Sequence, residues 1–372
     1  MTDPVPEADR AHGAPHPRET RRLIGQEAAE ASFLDAFTSG RMHHAWLITG
    51  PRGVGKATLA WRIARFLLAT PVQQDDGLFG APPPPTTLDI SEDHPVAHRV
   101  AALSDPGLSL VRRPWDEKTE RLRQEITVEE IRRLKRFFEL SAADGGRRVV
   151  IVDAADEMNV SAANALLKVL EEPPANTTLL LIAHQPSRIL PTILSRCRRL
   201  RCRTLDAPEI AQALAQAGVE PGEDADGLAA LAEGSVGTAL RLLTMDGLKL
   251  YLELVQVLGD PNARPRALAL ADSATGRTNA DRFALLLDLF DLFLARAARA
   301  GIAGPPLPEA VEGEARLLAR LSPHPYASRQ WADLSQSLGA RARHGRAVNL
   351  DPASLILDMV LKVHETAAKL PA

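Results

Sequence analysis

The sequence predicts an α/β P-loop domain, with a parallel sheet flanked by helices, followed by a small helical lid and an all-helical C-terminal domain. Residues 50–58 read Gly-Pro-Arg-Gly-Val-Gly-Lys-Ala-Thr, a phosphate-binding loop. Two apolar runs, Val149–Asp153 and Leu179–Ala183, are typical of strands buried on both faces. After about Leu205 the strand pattern disappears and helical periodicity continues to the end. These three observations predict a nucleotide-binding fold.

Composition limits the class of protein. The chain has 372 residues, 45% of them hydrophobic, and a net charge of −3, which suits a globular protein of two or three domains. The first 22 residues are polar and lack the apolar core of a secretory signal, and no apolar run approaches 18 residues. We therefore expect a cytoplasmic protein without a membrane partner. Cys197 and Cys202, the two cysteines, are too few for a disulfide framework or a four-cysteine zinc site.

Changes in pattern along the chain indicate its domains. A Pro-rich interruption at Phe79–Pro85 marks an insertion or an exposed loop. Helical spacing of apolar residues predicts an amphipathic helix at Val128–Leu140 and further helices at Phe283–Leu294 and Ser354–Thr366. The predicted parts are a disordered tail at 1–22, the P-loop α/β domain at 23–205, the helical lid at 206–245 and the helical C-terminal domain at 246–372.

The phosphate loop lies in the context that the motif requires. Strand-like Ala45–Thr49 precedes it, and helix-like Leu59–Leu68 follows. Lys56 brings a positive charge to the β and γ phosphates of a nucleotide. The loop's glycines allow successive backbone N–H groups to turn toward phosphate oxygens, and they are Gly50, Gly53 and Gly55. The alternative is a P-loop fold that has outlived its ligand.

The magnesium-binding part of the motif is incomplete. A hydroxyl normally follows the loop lysine, but here that position is Ala57, and Thr58 comes one residue late, about 100° further around a helix. Asp153 ends a strand at the edge of the sheet where ligands bind, and it is the candidate for the magnesium shell. It could instead be a helix-capping residue. We expect weak binding of ATP or ADP, poorly held Mg²⁺ and poor hydrolysis.

Two further segments carry a family resemblance. A helix over 162–172 stops at Pro173 and Pro174, and Leu194-Ser195-Arg196-Cys197 follows the 179–183 strand. With Leu23–Gln26, His43–Leu47 and the phosphate loop, they resemble the bacterial clamp-loader branch of AAA+ proteins over about residues 20–245. The resemblance implies a hetero-oligomer with gamma/tau and delta subunits, which acts through the assembly on a sliding clamp and primed DNA within the DNA polymerase III holoenzyme.

Departures from the family pattern separate motor from non-motor subunits. The motor subunits carry Thr after the loop lysine, Glu after the strand Asp, and an Arg in the lid motif. This chain has Ala57, Ala154 and Gly237 there, and His184 replaces the usual sensor Thr or Asn. The resemblance therefore implies a subunit with an impaired site of its own. The family usually inserts a zinc module after the first helix, but residues 70–113 contain no cysteine, so we expect no zinc.

Arg196 is the predicted catalytic residue, acting in trans. A guanidinium inserted into a neighbouring subunit's site neutralises charge that develops on the γ-phosphate. The alternative is a solvated basic surface, because other arginines crowd this segment: Arg188, Arg198, Arg199, Arg201 and Arg203. A second function stays open, an autonomous ATPase in which Thr58 and Glu157 substitute for the missing groups. A P-loop kinase is a weaker third alternative, because the first domain lacks an acceptor site and lid arginines.

Overall fold

The computed structural model describes residues 6–11, 13–20, 22–71, 83–140, 146–220, 222–276, 279–348 and 350–370. Most of the predicted Pro-rich interruption lies outside these residues. The chain divides into two compact units, one of residues 1–217 with 234–237 and the other of residues 218–233 with 238–372. The finer division with a separate lid stays a prediction. No helix in the described ranges has the length and the apolar content that crossing a membrane requires.

The first unit is built on a five-stranded parallel sheet. Its strand order is β2-β5-β6-β1-β7, and a two-stranded antiparallel sheet, β3-β4, lies apart from it. Both predicted apolar runs are strands, and all residues of the second are buried because helices cover both faces of the sheet. The strands are β1 Ala45–Thr49, β2 Leu108–Arg112, β3 Trp115–Asp116, β4 Arg121–Leu122, β5 Arg148–Asp153, β6 Thr177–Ala183 and β7 Arg198–Arg201.

Helices of the first unit connect the strands and pack on the sheet. The amphipathic helix predicted at Val128–Leu140 has these bounds, and its Ile131 and Leu134 are buried in the core on one face of the sheet. The Asn159 side chain caps the helix that follows β5 by accepting from the Ala162 N–H at 2.9 Å. The helices are α1 Glu27–Thr38, α2 Lys56–Ala69, α3 Pro95–Ala101, α4 Val128–Leu140, α5 Val160–Glu171, α6 Pro191–Leu194 and α7 Ala207–Gln216.

The second unit is helical, as predicted. Tyr251, Phe290, Phe293 and Trp331 are fully buried at its core. The predicted apolar segment 283–294 lies within one long helix, and the predicted segment 354–366 lies within the last. From the junction onward the helices are α8 Ala225–Ala232, α9 Val236–Thr244, α10 Gly247–Gly259, α11 Arg264–Asp272, α12 Ala280–Ala303, α13 Glu314–Leu321, α14 Pro325–Ala347 and α15 Pro352–Lys369.

The N-terminal segment differs from the predicted disordered tail wherever it is described. Asp9 Oδ1 lies 2.5 Å from Arg112 Nη1 at the end of β2, and Glu7 Oε1 lies 3.0 Å from Arg112 Nη2. His16 is fully buried and meets the Trp61 ring edge-on, with 5.9 Å between centroids. The segment thus pairs with the end of β2 through its charged residues, although it has no apolar core of its own. Amino-acid composition alone does not reveal such ion pairs.

Candidate nucleotide-binding site

The phosphate loop follows β1 at the carboxyl edge of the sheet. Gly53 has φ +78° and Gly55 has φ +98°, in the left-handed region that favours glycine. A Cβ on Gly53 would lie 2.3 Å from Ser235 Oγ, and one on Gly55 would lie 2.7 Å from Leu23 Cδ1. Both positions therefore require glycine, for the turn and for the close approach of neighbouring groups. The loop retains the backbone that a nucleotide phosphate needs.

Lys56 is the first residue of α2, and its side chain turns back into the loop. Its Nζ donates to the Gly50 carbonyl at 2.7 Å and to the Pro51 carbonyl. The residue is 3% exposed, and burial lowers the pKa of its ammonium group to about 8. At neutral pH the group is still mostly protonated, so its charge is available to a phosphate once it leaves these carbonyls. The donor set fits the phosphates of ATP or ADP.

Asp153 ends β5 beside the loop and is almost completely buried. Burial raises the pKa of its carboxyl group to about 7, and the negative charges of Asp9 and Glu157 act in the same direction. Burial therefore favours the protonated form of Asp153 near neutral pH. Magnesium binds carboxylate and not carboxylic acid. The next residue, Ala154, supplies no second carboxylate, so these residues fit Mg²⁺ poorly.

Glu157, the substitute that an autonomous ATPase would need, faces two arginines. Its Oε2 lies 2.7 Å from Arg113 Nε, and its Oε1 lies 3.8 Å from Arg52 Nη2 in the phosphate loop. Both carboxylate oxygens of Glu157 thus face cations of the chain itself. Thr58 is half-buried on the first turn of α2, and its predicted orientation away from a metal stays a prediction.

The segment 234–237 lies directly on the phosphate loop. The Gly237 N–H donates to the Gly53 carbonyl at 3.2 Å. A Cβ on Gly237 would lie 3.1 Å from Gly53 Cα, so this contact favours glycine at the position where motor subunits have arginine. The backbone thereby closes over the loop on the side of Gly53.

His184 follows β6 at the same edge. Its N–H donates to Asp156 Oδ1 at 2.9 Å, and the Gln185 N–H donates to Asp156 Oδ2 at 2.9 Å. Burial lowers the pKa of the His184 imidazole, so the ring is neutral at neutral pH. The sequence analysis missed Asp156 and Arg113. Neither belongs to the motif, and their partners are 28 to 44 positions away in the chain, so no local signal marks them.

Arg196 lies at the opposite edge of the sheet from the phosphate loop. β7 runs parallel to β1, with Arg198 beside Trp46 at the amino end and Arg201 beside Thr49 at the carboxyl end. The loop follows Thr49, whereas Arg196 precedes β7. A four-residue strand is about 13 Å long, so Arg196 lies more than that length from its own loop.

The Arg196 side chain is 37% exposed and contacts three acceptors, the most distant of which is Ser195 Oγ at 3.4 Å from Nη1. Its Nη2 lies 2.9 Å from Glu171 Oε1 at the end of α5, and its Nη1 donates to the Thr192 carbonyl at 2.9 Å. The neighbouring Cys197 packs against the sheet core, and burial raises the pKa of its thiol to about 11. Cys197 is therefore a neutral, apolar neighbour and not a nucleophile.

A parallel sheet with a glycine-rich loop and a buried lysine at its carboxyl edge defines a P-loop domain. A family model described as "DNA polymerase III, delta subunit" matches residues 25–206, which contain the sheet, the loop and Arg196. This match covers just under half of the chain, and the chain is also similar to proteins named as delta′ and tau subunits of DNA polymerase III.

Two relatives are similar to about half of this chain. The delta′ subunit of DNA polymerase III from Pseudomonas aeruginosa is 39% identical over 200 residues, which cover 54% of this chain and 55% of the relative. The tau subunit from Salmonella typhimurium is 29% identical over 52% of this chain and 27% of its own length. The chain thus spans about half the length of the first relative. A gamma subunit-related protein of Thermotoga maritima has 17% identity and a TM-score of 0.43, and covers 90% of this chain and 99% of its own.

Proposed function

We propose that the chain is the delta′ subunit of a bacterial DNA polymerase III clamp loader. In this role it hydrolyses little ATP itself, helps place the sliding clamp on primed DNA, and supplies Arg196 to a neighbouring ATPase subunit. The observation that carries the proposal is the position of Arg196, which is partly exposed at the sheet edge opposite its own phosphate loop.

The state of the chain's own site supports a non-motor role. Lys56 binds the loop's carbonyls, the pKa of Asp153 is raised to about 7, and Glu157 faces two arginines. Weak binding of ATP or ADP with poorly held Mg²⁺ is therefore part of the proposal. An autonomous ATPase would need a free carboxylate near Asp153 to polarise water, and Glu157 is engaged elsewhere.

The proposed partners are the gamma/tau motor subunits and the delta subunit of the loader, with the sliding clamp and primed DNA reached through the assembly. The helical C-terminal unit is the proposed collar, by which the chain joins this hetero-oligomer. The proposal needs neither zinc nor a membrane.

The test is ATP hydrolysis by a loader reconstituted with gamma/tau and delta subunits. Arg196→Ala should leave folding and assembly intact, because the side chain is partly exposed and its pair with Glu171 lies at the surface. The hydrolysis rate should fall, since an arginine finger contributes roughly 10³–10⁵ in rate at its own site. The loss for the whole loader is smaller, because other motor sites keep their own fingers.

Arg198→Ala and Arg199→Ala are the matched controls, because both residues are exposed arginines on β7. Each removes the same charge close to position 196. Equal effects of Arg196→Ala and Arg198→Ala would show that Arg196 belongs to a basic patch and is no arginine finger. Turnover of about 1 s⁻¹ or more by the isolated chain, abolished by Lys56→Ala, would favour an autonomous ATPase instead.

A further inference from the structure

Glu171 holds the Arg196 guanidinium at one edge. The carboxylate lies at the last residue of α5, and Glu171 Oε1 is 2.9 Å from Arg196 Nη2. The Thr192 carbonyl accepts from the other terminal nitrogen, Nη1. Ser195 Oγ also accepts from Nη1 at 3.4 Å, so acceptors on α5, on α6 and on the residue after α6 together fix the plane of the guanidinium. A guanidinium has five donor hydrogens, so further donors stay available to an oxyanion.

The position of Glu171 is not explained by the stability of its helix. Negative charge at a helix C-terminus opposes the helix dipole, and Glu171 and Glu172 both lie there, directly before Pro173. A nearby cation offsets this cost, and Arg196 is placed to do so. Glu172 is also exposed, but in the part of the chain that the structure describes it makes no ion pair. The two adjacent glutamates thus differ in their contact with Arg196.

We infer that Glu171 is a positioning residue for Arg196, which presents the guanidinium in one orientation to the neighbouring subunit's γ-phosphate. The inference rests on the proposed function. An unrestrained arginine side chain loses considerable rotamer freedom when it enters a site, and a side chain already held in place loses less. Glu171 touches no reacting atom in this role and acts only through Arg196.

The expected size of the effect follows from the exposure of the pair. Glu171 and Arg196 side chains are 50% and 37% exposed, and an ion pair of this kind shifts an equilibrium by at most about fivefold. The quantity to compare is the difference in ATP hydrolysis rate between the unmodified loader and the loader with Arg196→Ala, which is the part of the rate that depends on Arg196. Glu171→Ala should lower that part by roughly two- to fivefold in kcat, with KM for ATP unchanged.

Five variants of the reconstituted loader test the inference. Glu172→Ala, the matched control, should hydrolyse ATP at the unmodified rate. Glu171→Gln keeps an oxygen acceptor and should retain more activity than Glu171→Ala. The double variant Glu171→Ala with Arg196→Ala should be no slower than Arg196→Ala alone, because Glu171 acts only through that arginine.

The outcomes separate this inference from the proposed function. If Arg196→Ala hydrolyses at the unmodified rate, the proposed function is wrong and the positioning role is wrong with it. If Arg196→Ala is slow but Glu171→Ala is unchanged or faster, only the positioning role is wrong. Equal losses from Glu171→Ala and Glu172→Ala, or an added loss in the double variant, would also overturn it.

Discussion

Glu314 pairs with Arg296, which is the one buried arginine among the described residues of the second unit. Glu314 Oε1 lies 2.6 Å from Arg296 Nε and accepts from the Tyr251 hydroxyl at 2.6 Å, while Oε2 accepts from the Ala310 N–H at 2.8 Å. Both charged side chains are almost fully buried, at 4% exposure for Arg296 and 0% for Glu314. Glu314→Ala leaves the guanidinium without its counter-charge and two donors without an acceptor.

The expected loss is about 3–5 kcal/mol in the free energy of unfolding, the range for removing one partner of a buried ion pair. For a unit of this size the melting temperature should fall by roughly 6–20 °C. The measurement is chemical and thermal unfolding followed by helical circular dichroism.

Asp358→Ala is the matched control in the same unit. Its pair with Arg341 is 2.7 Å long, but the side chains are 31% and 57% exposed, so the expected change is at most about 1 kcal/mol. Arg296→Met with Glu314→Leu should recover the part of the loss that comes from the unpaired buried charge, while the Tyr251 hydroxyl and the Ala310 N–H still lack their acceptor. A Glu314→Ala variant within 1 kcal/mol of the unmodified protein would refute the reasoning.

Three further predictions concern the first unit. The isolated chain should show negligible ATP turnover, well below 1 s⁻¹, because Ala57 and Ala154 provide neither the metal hydroxyl nor the second carboxylate; a coupled ATPase assay measures it. Elemental analysis of purified protein should find no zinc, and one tightly bound zinc per chain would contradict the expectation drawn from residues 70–113. Because the folded-state pKa of Asp153 is raised from 3.8 to about 7, folding favours its protonated form. Its contribution to stability is therefore greatest below about pH 4 and is lost as pH rises to 7. Asp153→Asn should thus raise the free energy of unfolding at pH 8 by up to about 4 kcal/mol and leave it unchanged at pH 4, as measured by chemical unfolding at both pH values. An equal gain at both pH values would contradict this.

Local sequence patterns were sufficient for the main elements of the fold. The run Val149–Asp153 is a buried strand, as predicted. Its four consecutive apolar residues are typical of a strand that is covered on both faces, and Asp153 ends it. The helix at 128–140 was predicted with its observed bounds, since its apolar residues repeat with the helical period. The N-terminal segment was not predicted, because its contacts join charged residues about a hundred positions apart.

The sequence by itself determined that this chain has a phosphate loop, that the groups for magnesium and water activation are missing from the motif, and that Arg196 has a distinctive context. Those are properties of neighbouring residues, which spacing reveals. Only the tertiary structure decided that Glu157 pairs with Arg113, that Gly237 lies on Gly53, and that Arg196 is at the far edge of the sheet, held by Glu171. Strand order and register bring these groups together or keep them apart, and hydrophobic burial of distant segments fixes that order.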